Sequence, residues 1–450
     1  MKYSFNYDFF GGGILLRTFK GGLHVPDHKE NTNKIPIRKI DGAPVHIFPL
    51  RQHIGAMLEA KVKVGDSVKV GDVLADSEAF VSVPVHSSVS GKVIDIRPYF
   101  HPSGTKTMAV FVENDFKYEV SDCIKPFDIS SMSKQEIVKA IRNSGVVGMG
   151  GAGFPTHVKL SPPEDKKVTH LIVNAAECEP YLTSDHRRLL EQGEKVIDGL
   201  KICLNLFGLE KGYIAIEANK PDAIKALNSI DDKKIEVVPL KTKYPQGSEK
   251  HIIKAVSGRE VPSGGLPVDV GAIVMNVDTA YQIAETFSTG MPLISRIITV
   301  AGDAVKNPCN LEVRLGTPFG FVLENAGGFV KAPQKILNGG PMMGIAQYSL
   351  EVPTIKTTSA ILALTQSAKV YDPDKPCIRC GRCTKHCPMH LMPLYLSKYA
   401  KEENLEMCEK YHILDCIECG LCSYQCPAQQ GLVQNIRVGK QKILDNKRGK

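Results

Sequence analysis

Two runs of cysteines in the last third of the sequence have a spacing suited to metal chemistry. Each run is C-x2-C-x2-C-x3-C followed by proline, and Cys416 begins the second run thirty-nine residues after Cys377 begins the first. The first three thiolates of such a run can bind three irons of one [4Fe–4S] cluster. The fourth cysteine lies too far from that cluster and binds an iron of the second cluster. The predicted ligands are, for the first cluster, Cys377, Cys380, Cys383 and Cys426, and, for the second cluster, Cys387, Cys416, Cys419 and Cys422.

Zinc is the alternative occupant of such cysteines. Structural zinc prefers two C-x2-C pairs separated by a longer loop, and it does not need four cysteines in each run. The spacing therefore favours iron–sulfur clusters. Thirteen cysteines, most of them clustered, also indicate a reducing compartment and argue against a disulfide framework. The isolated cysteines are expected to be core residues.

A second chemical motif is the glycine-rich segment GMGGAGFPTHVKL at residues 148–160. Its G-x-G-x-x-G spacing is that of a dinucleotide-binding turn, which normally follows a strand and opens a helix. Here Ser133 and Glu136 form a capping box ahead of an apolar helical stripe, so a helix is predicted to lead into the loop. No Gly-Lys-Ser/Thr follows, which excludes a P-loop. The glycines alone leave an ordinary turn and a ligand-binding loop both open.

The iron–sulfur clusters suggest which ligand the glycine loop would take. Such clusters pass one electron at a time, whereas a nicotinamide delivers two electrons as a hydride. A protein that joins the two chemistries needs a flavin between them. Flavin is therefore the candidate ligand of the loop.

Length and composition limit the classes of protein to which the chain can belong. A chain of 450 residues is expected to form three or four domains. It has no apolar run of about 18 residues, which predicts no membrane span of its own, and its first residues lack a signal-peptide pattern. The net charge of +8 is not matched by any nucleic-acid-binding motif, so no nucleic acid partner is expected. Two clusters of about −2 each and an FMN phosphate would cancel most of that charge.

Several elements must position these motifs. Two V-G-D turns in KVKVGDSVKVGDVLAD predict a lipoyl/biotinyl-like sandwich, but Glu78 stands near the position of the carrier lysine, so a swinging arm is not expected. From about residue 167, strand and helix patterns alternate, which predicts a parallel sheet covered by helices. Short strands with one brief helix follow, and then the cysteine-rich domain.

The predicted fold class is a multidomain α/β and α+β protein. The predicted domains are a lipoyl-like sandwich without a carrier lysine (1–125), a Rossmann-like FMN/NADH-binding domain (126–288), a soluble-ligand-binding β-grasp module (289–345), a connector (346–375), a double [4Fe–4S] ferredoxin-type domain (376–440) and a basic tail (441–450).

The glycine loop and the segment LIVNAAECEPYLTSDHRRLLE resemble the flavin-bearing, NADH-oxidising subunit of respiratory complex I, whose pattern is G-R-G-G-A-G-F-P-T-G-L-K and N-A-D-E-G-E-P. The added lipoyl-like and double-ferredoxin domains narrow the resemblance, as do YPQGSEKHIIKAVSGREVPSGGLPVDVG and GGPMMG. Together they resemble the RnfC family, which belongs to the Rnf complexes, the ion-translocating NADH:ferredoxin oxidoreductases. The resemblance covers nearly the whole chain.

The resemblance implies a set of binding residues. Those implied for FMN are Gly148, Gly150, Gly151, Gly153, Lys159, Asn174, Glu177, Asn276 and Thr279. Those implied for NADH are Phe154, stacking on the adenine, and Glu179, at the nicotinamide end. The sequence departs from the complex I pattern at Ala176, at Met275 and at the pair Pro162–Pro163, where an aromatic residue would form the second wall of the adenine site.

The resemblance also implies an activity. It implies an enzyme that takes hydride from NADH onto FMN and passes single electrons through two [4Fe–4S] clusters, with no side chain acting as acid or base. It implies a peripheral membrane protein on the cytoplasmic side, in a complex that translocates Na⁺ or H⁺. The implied partners are the other subunits, including an iron–sulfur acceptor subunit, with ferredoxin served indirectly. The alternatives are a soluble NADH-dependent cobalamin reductase of related architecture and a non-catalytic electron-carrying scaffold.

Overall fold

The computed structural model describes residues 6–10, 14–365 and 375–448. The strands in these residues are, in chain order, β1 (Asn6–Phe10), β2 (Ile14–Thr18), β3 (Ile37–Lys39), β4 (Val45–Pro49), β5 (Glu59–Ala60), β6 (Ser67–Val68), β7 (Val73–Asp76), β8 (Val85–His86), β9 (Gly91–Phe100), β10 (Lys106–Asn114), β11 (His170–Ala175), β12 (Gly212–Glu217), β13 (Ile235–Leu240), β14 (Ala272–Asn276), β15 (Ser295–Ala301), β16 (Cys309–Arg314), β17 (Lys335–Asn338), β18 (Ile345–Ala346) and β19 (Ala360–Leu364).

The α-helices of the same residues are α1 (Lys134–Asn143), α2 (Thr156–Lys159), α3 (Ser184–Phe207), α4 (Pro221–Ser229), α5 (Glu249–Ser257), α6 (Val277–Thr289), α7 (Phe319–Asn325), α8 (Arg382–Lys385), α9 (Pro393–Lys401), α10 (Leu405–Lys410), α11 (Leu421–Tyr424) and α12 (Leu432–Arg448). Short 3-10 turns occur at Ile129–Ser131, Pro267–Val270 and Ile413–Asp415. In the parts of the chain that are described, no helix has both the length and the apolar character needed to cross a bilayer.

The central domain is a six-stranded sheet covered by helices. Its strand order is β1-β2-β13-β12-β11-β14, and all strands except β1 run parallel to their neighbours. Apolar residues of α1, α3, α4 and α6 pack on one face of the sheet, and those of α5 pack on the other. Such strands are apolar on both sides, which explains their nearly continuous Val, Ile and Ala. The predicted Rossmann-like sheet is confirmed.

The lipoyl-like domain consists of two small antiparallel sheets, β4-β10-β9-β6 and β5-β7-β8, around a valine-rich core. Its two V-G-D turns are hydrogen-bonded in the same way: Lys63 N donates to Asp66 Oδ2 and Lys69 N donates to Asp72 Oδ2, each at 2.7 Å. Val147, at the start of the glycine loop, is part of this core. The loop is therefore anchored in the neighbouring domain.

The β-grasp module corrects the predicted connector at residues 346–375. Its sheet has the order β18-β17-β19-β15-β16-β3, so β19 from the supposed connector lies inside the sheet, parallel to β15 and antiparallel to β17. The run AILAL at residues 360–364 is short and apolar, and its side chains are buried because the two faces of the strand pack into two apolar clusters. Residues 366–374 of the predicted connector lie outside the described residues.

The first strands of the chain do not belong to the lipoyl-like domain predicted at residues 1–125. Strands β1 and β2 extend the central sheet, with β2 next to β13. Strand β3 pairs in parallel with β16 of the β-grasp sheet. A sequence pattern assigns such short strands to the domain that is nearest in sequence. The strands that pair with β2 and β3 in other domains lie more than two hundred residues away.

The cysteine-rich domain is helical, with α9 and α10 inserted between the two cysteine runs. The predicted basic tail at 441–450 is not separate over residues 441–448, because α12 continues to Arg448. The helix is held down by Ile436 and Ile443, which are two turns apart and almost fully buried in the domain core with Leu396 of α9. Residues 449–450 lie outside the described residues.

Candidate cofactor sites

The glycine loop connects α1 to α2 at the edge of the central sheet. The predicted capping box is present. The Ser133 hydroxyl accepts a hydrogen bond from Glu136 N, and the Glu136 carboxylate accepts one from Ser133 N. The loop then closes on itself through a bridge between Val147 and Pro155 and a 2.8 Å hydrogen bond from Gly148 N to Phe154 O. Residues 150–152 form an exposed tip. A helix precedes the loop, as the sequence predicted.

Three glycines of the loop have different surroundings. A Cβ on Gly153, where φ is +72°, would lie 2.8 Å from Thr357, and a Cβ on Gly150 would lie 3.1 Å from Asn276. A Cβ on Gly151 would meet no atom within 4 Å. Gly150 and Gly153 are therefore needed for packing, while Gly151 borders open space beside the strand ends. That open cradle fits a flat ligand that approaches the backbone closely.

Thr279 and Arg296 hold the loop in place. The Thr279 hydroxyl donates to Val147 O (3.0 Å) and accepts from Met149 N (3.1 Å), and Arg296 Nη1 donates to Met149 O (3.2 Å). Both side chains are buried. Thr279, which the resemblance implied for FMN, thus has its hydroxyl occupied by the loop backbone. Arg296 was missed from the sequence because it comes from β15 of another domain.

Asn174 and Asn276 end two neighbouring parallel strands and face each other in the sheet register. Asn174 donates to Gly247 O (2.8 Å), and Asn276 caps α6 while donating to Asp185 Oδ2 (2.7 Å). Both are half-buried at the carboxyl edge of the sheet, which is where ligands bind in open α/β folds. The structure brings both asparagines together with Gly150.

Lys159 and Glu177 lie at the same edge with partners of their own. Lys159 Nζ is 2.6 Å from Glu249 Oε1 and 3.1 Å from Val274 O. Glu177 is buried and accepts from Asp185 N (2.9 Å) at the start of α3, where a carboxylate is stabilised by the helix dipole. Lys159 stays beside the cradle, whereas the Glu177 carboxylate is turned into the helix terminus.

A buried charge network supports this edge. Asp278 binds Arg188 (2.8 Å) and lies 3.4 Å from Arg296. Burial raises the pKa of Asp185 well above its ordinary value, and the nearby carboxylates of Glu177 and Asp278 raise it further. Asp185 is joined to the strand edge through its hydrogen bond from Asn276.

Phe154 and Glu179, the two residues implied for NADH, have different surroundings. Phe154 is half-buried at the loop end. Glu179 accepts from the amides of Met342 (3.1 Å) and Met343 (2.9 Å), and its Oε1 lies 3.3 Å from the Tyr244 hydroxyl oxygen. Burial raises the pKa of Glu179 to about 7. Glu179 thus holds the GGPMMG loop, which lies against the cysteine-rich domain.

The hairpin tip of the lipoyl-like domain docks beside the glycine loop. Arg142 of α1 makes a two-point contact with Asp76 at 2.8 and 3.0 Å, and His157 Nε2 lies 2.9 Å from Phe80 O. Lys356 is fully buried and donates to Pro84 O and Gly145 O at 2.7 Å; burial lowers its pKa to about 7. The segment that carries the modified lysine in carrier domains is here a fixed wall.

The second cysteine cluster has a preformed site. Cys387 from the first run and Cys416, Cys419 and Cys422 from the second run line one apolar cavity, together with Ile417, Val433 and Ile436. This is the crossed set that the spacing predicted. Across residues 6–10, 14–365 and 375–448 no three potential ligands converge as they would on a single metal ion.

Backbone amides point at the cysteine sulfurs in the same way in both runs. Arg379 N donates to Cys377 Sγ, and Glu418 N donates to Cys416 Sγ, both at 3.4 Å. The fourth cysteines accept in turn from the amides four residues on: Leu391 N to Cys387 Sγ (3.3 Å) and Gln430 N to Cys426 Sγ (3.4 Å). Such bonds stabilise thiolate charge and tune cluster potential. The second donor set, whose four cysteines line one cavity, fits a [4Fe–4S] cluster, and the first run repeats its amide contacts.

A parallel α/β sheet with a glycine cradle, joined to a two-cluster cysteine domain, defines a class of flavin and iron–sulfur electron-transfer proteins. Family models match four segments: the Nuo51 FMN-binding domain at residues 141–285, the RnfC barrel sandwich hybrid domain at 17–117, the SLBB domain at 297–346 and a 4Fe-4S dicluster domain at 368–427. FMN and iron–sulfur clusters are thus the cofactors of this architecture.

Relatives with curated names cover nearly the whole chain. The RnfC-type component of the Na⁺-translocating ferredoxin:NAD⁺ oxidoreductase complex of Acetobacterium woodii is 49% identical over 96% of this chain and 98% of its own length. Its proton-translocating counterpart from Clostridium ljungdahlii is 49% identical over 94% and 93%. The corresponding component of the ion-translocating oxidoreductase complex of Rhodobacter capsulatus is 39% identical over 95% and 83%. The chain belongs to the RnfC family of ion-translocating ferredoxin:NAD⁺ oxidoreductase complexes.

Proposed function

We propose that this chain is the NADH-oxidising electron-transfer subunit of a membrane complex that couples electron transfer between NADH and ferredoxin to Na⁺ or H⁺ translocation. The observation that carries the proposal is the coexistence, in one chain of this family, of an open glycine cradle at the sheet edge and two crossed cysteine sets. The relatives give no support to the cobalamin reductase alternative.

When bound, FMN supplies the conversion of a two-electron hydride donor into single electrons. The residues of this chain bind the flavin and orient it. The backbone around Gly151 leaves room for the ring system, the amides of Asn174 and Asn276 offer hydrogen-bonding groups at the strand ends, and Lys159 supplies positive charge. Gly148 and Gly153 shape the loop, and Thr279 fixes it from below.

For NADH, Phe154 is the proposed contact of the adenine ring. Pro162 and Pro163 supply no aromatic partner for it, so adenine binding there rests on one ring. The contacts of Glu179 with the amides of Met342 and Met343 support a different role from the one implied at the nicotinamide end. Glu179 holds the loop that joins the central domain to the cysteine-rich domain.

The proposed location is the cytoplasmic side of the cell membrane, as a peripheral subunit bound to the other subunits of the complex. The proposed electron acceptor is an iron–sulfur subunit, and ferredoxin is served through it. Recovery of the protein with membranes, and its release by high salt, would support this arrangement. Recovery in a soluble fraction together with cobalamin enzymes would contradict it.

The function is tested by counting cofactors and titrating with NADH. Purified anaerobically, the chain is expected to hold one FMN and eight iron and eight sulfide atoms, the content of two [4Fe–4S] clusters. NADH should bleach the flavin absorbance and then the cluster absorbance. A protein with both cofactors that NADH does not bleach would be an electron-carrying scaffold instead.

A further inference from the structure

The two cysteine runs share one sequence pattern but differ in their surroundings. Residues 375–382 of the first run are all exposed, including Cys377 and Cys380. No residue from Cys416 to Cys426 is exposed in the second run. The local backbone is the same in both, since Arg379 and Glu418 have φ of 52° and 56°, and Gly381 and Gly420 have 72° and 75°. The difference comes from what covers each run.

The second run is covered by the central domain and by a loop of the β-grasp module. Tyr244 donates to Cys419 O at 2.7 Å, and a Cβ on Gly420 would lie 2.6 Å from Met342 O. Ile417 and Leu421 pack in one apolar cluster with Tyr244, to which Cys178 also belongs. Electron tunnelling falls steeply with distance, so the second cluster is the one placed to receive electrons from the flavin side.

The same positions of the first run face outward. Ile378, the counterpart of Ile417, is 63% exposed. Leu421 and Tyr424, which pack against the central domain in the second run, are replaced by Arg382 and Lys385 in the first.

The charge of this outward surface is one-sided. Residues 375–390 contain four Lys or Arg residues and no Asp or Glu, and Glu418 of the second run corresponds to Arg379 of the first. An exposed apolar residue in an exposed cationic segment, next to predicted cluster ligands, is suited to a protein with an acidic face, because opposite charges steer association and fix its orientation.

We propose that electrons enter the cysteine-rich domain through the second cluster and leave through the first, across a docking surface formed by Ile378, Arg379, Arg382 and Lys385. The occupant is the acidic face of an iron–sulfur protein of the same complex. NADH yields NAD⁺, one proton and two electrons, and each electron crosses this surface singly to reduce one acceptor cluster by one electron. The proposal rests on the proposed function and names the exit surface within it.

The test reverses the charge of the surface in the intact complex with Arg379→Glu, Arg382→Glu and Lys385→Glu combined. Arg379→Glu copies the residue that the second run carries at the same backbone position, so the fold should accept it. We expect NADH-driven reduction of the clusters in the acceptor protein, followed by stopped-flow absorbance, to slow at least tenfold. NADH bleaching of the flavin should keep its rate. Unchanged transfer to the acceptor clusters would overturn the proposal.

A matched control carries the same change in net charge elsewhere. Lys225→Glu, Lys233→Glu and Lys234→Glu lie on the exposed side of α4 and the following loop of the central domain. This variant should transfer electrons at the wild-type rate. An equal loss in both variants would mean that net charge, and not this surface, is responsible, and it would overturn the proposal.

A second measurement does not depend on the reversed-charge variant folding. A benzoylphenylalanine photocrosslinker in place of Ile378 should crosslink to an iron–sulfur subunit, whereas one in place of Val64, which is 61% exposed in the lipoyl-like domain, should not. A crosslink from position 378 to no iron–sulfur subunit would refute the surface. If NADH does not bleach the flavin even in the wild type, the proposed function is wrong. If NADH bleaches the flavin and the reversed-charge variant still passes electrons to the acceptor at the normal rate, only the proposed exit surface is wrong.

Discussion

At the scale of single residues, the buried Cys387 is the predicted ligand that the first run would supply to the second cluster. It lies in the first run but lines the cavity of Cys416, Cys419 and Cys422. We expect Cys387→Ser to damage the second cluster and largely to spare the first, as shown by electron paramagnetic resonance of the reduced protein. Cys408→Ser, at a buried cysteine outside both predicted ligand sets, should retain both clusters. Loss of the first cluster alone would disprove the crossed arrangement.

Gly151 is the residue at which side-chain volume should exclude FMN without damaging the fold. Its Cβ direction is open, so a valine side chain meets no protein atom but occupies the cradle. Gly151→Val should give a folded protein with full iron and sulfide and little FMN. Gly320→Val, where a Cβ makes ordinary contacts at 3.5 Å, should keep its FMN. Stoichiometric FMN in Gly151→Val would mean that the loop has another purpose.

Glu179 should give the protein a measurable pH dependence of stability. Burial raises its pKa from 4.5 to about 7. Between these values the folded state keeps a proton that the unfolded state has lost, so this contribution is full below pH 4.5 and is lost as pH rises through 7. The shift corresponds to about 3 kcal/mol.

The measurement is the unfolding free energy of Glu179→Gln and wild type at pH 5 and pH 7.5. The stability of wild type relative to the variant should fall by up to about 3 kcal/mol between these pH values. Glu351→Gln, at an exposed carboxylate, should show no such trend. Parallel pH profiles for wild type and Glu179→Gln would show that the carboxyl group is ionised throughout.

Among the elements, the docked hairpin between β7 and β8 is the one whose role was least visible beforehand. Arg142 holds it by two bonds to Asp76 and a third to Ser77 O at 2.6 Å. Lysine cannot reproduce a two-point contact. Arg142→Lys should therefore lower the unfolding free energy by roughly 1–3 kcal/mol and weaken FMN binding, measured by fluorescence titration.

Arg97→Lys is the matched control, because Arg97 pairs with Asp95 on the surface with both side chains about half exposed. Exposed pairs contribute about 0–1 kcal/mol. Its FMN affinity should stay at the wild-type value. Unchanged FMN affinity in Arg142→Lys would mean that the hairpin does not support the cradle.

The elements that the sequence could predict are those with local signals. Each of these signals lies within a short stretch of sequence. They are the capping box of Ser133, the strand and helix periods of the central domain and the cysteine spacing of each run. The position of β19 could not be read, because AILAL fits a buried helix segment as well as a strand. Arg296 could not be found either, since its role depends on Met149, which is 147 residues away.

For the molecule as a whole, we expect the coupling of electron transfer to ion movement to depend on the assembled membrane complex. A climb of roughly 100 mV by two electrons costs about 4.6 kcal/mol, since 30 mV corresponds to about 1.4 kcal/mol. One charge crossing a 100 mV potential returns about 2.3 kcal/mol, so about two ions per NADH would balance the climb. In inverted vesicles an ionophore should abolish NADH-driven ferredoxin reduction, while reduction of an artificial acceptor continues. Ferredoxin reduction by this chain alone in solution would contradict the membrane-coupled function.

The pairing of β3 with β16 has a consequence for how the protein is made. Ribosomes add about 5–20 residues per second, so Ile37 emerges roughly 15–55 s before its partner Asn310 exists. Strand β2 waits in the same way for β13. The nascent chain therefore cannot complete its domains in the order of synthesis, because β2 and β3 lack their pairing partners until β13 and β16 have been translated.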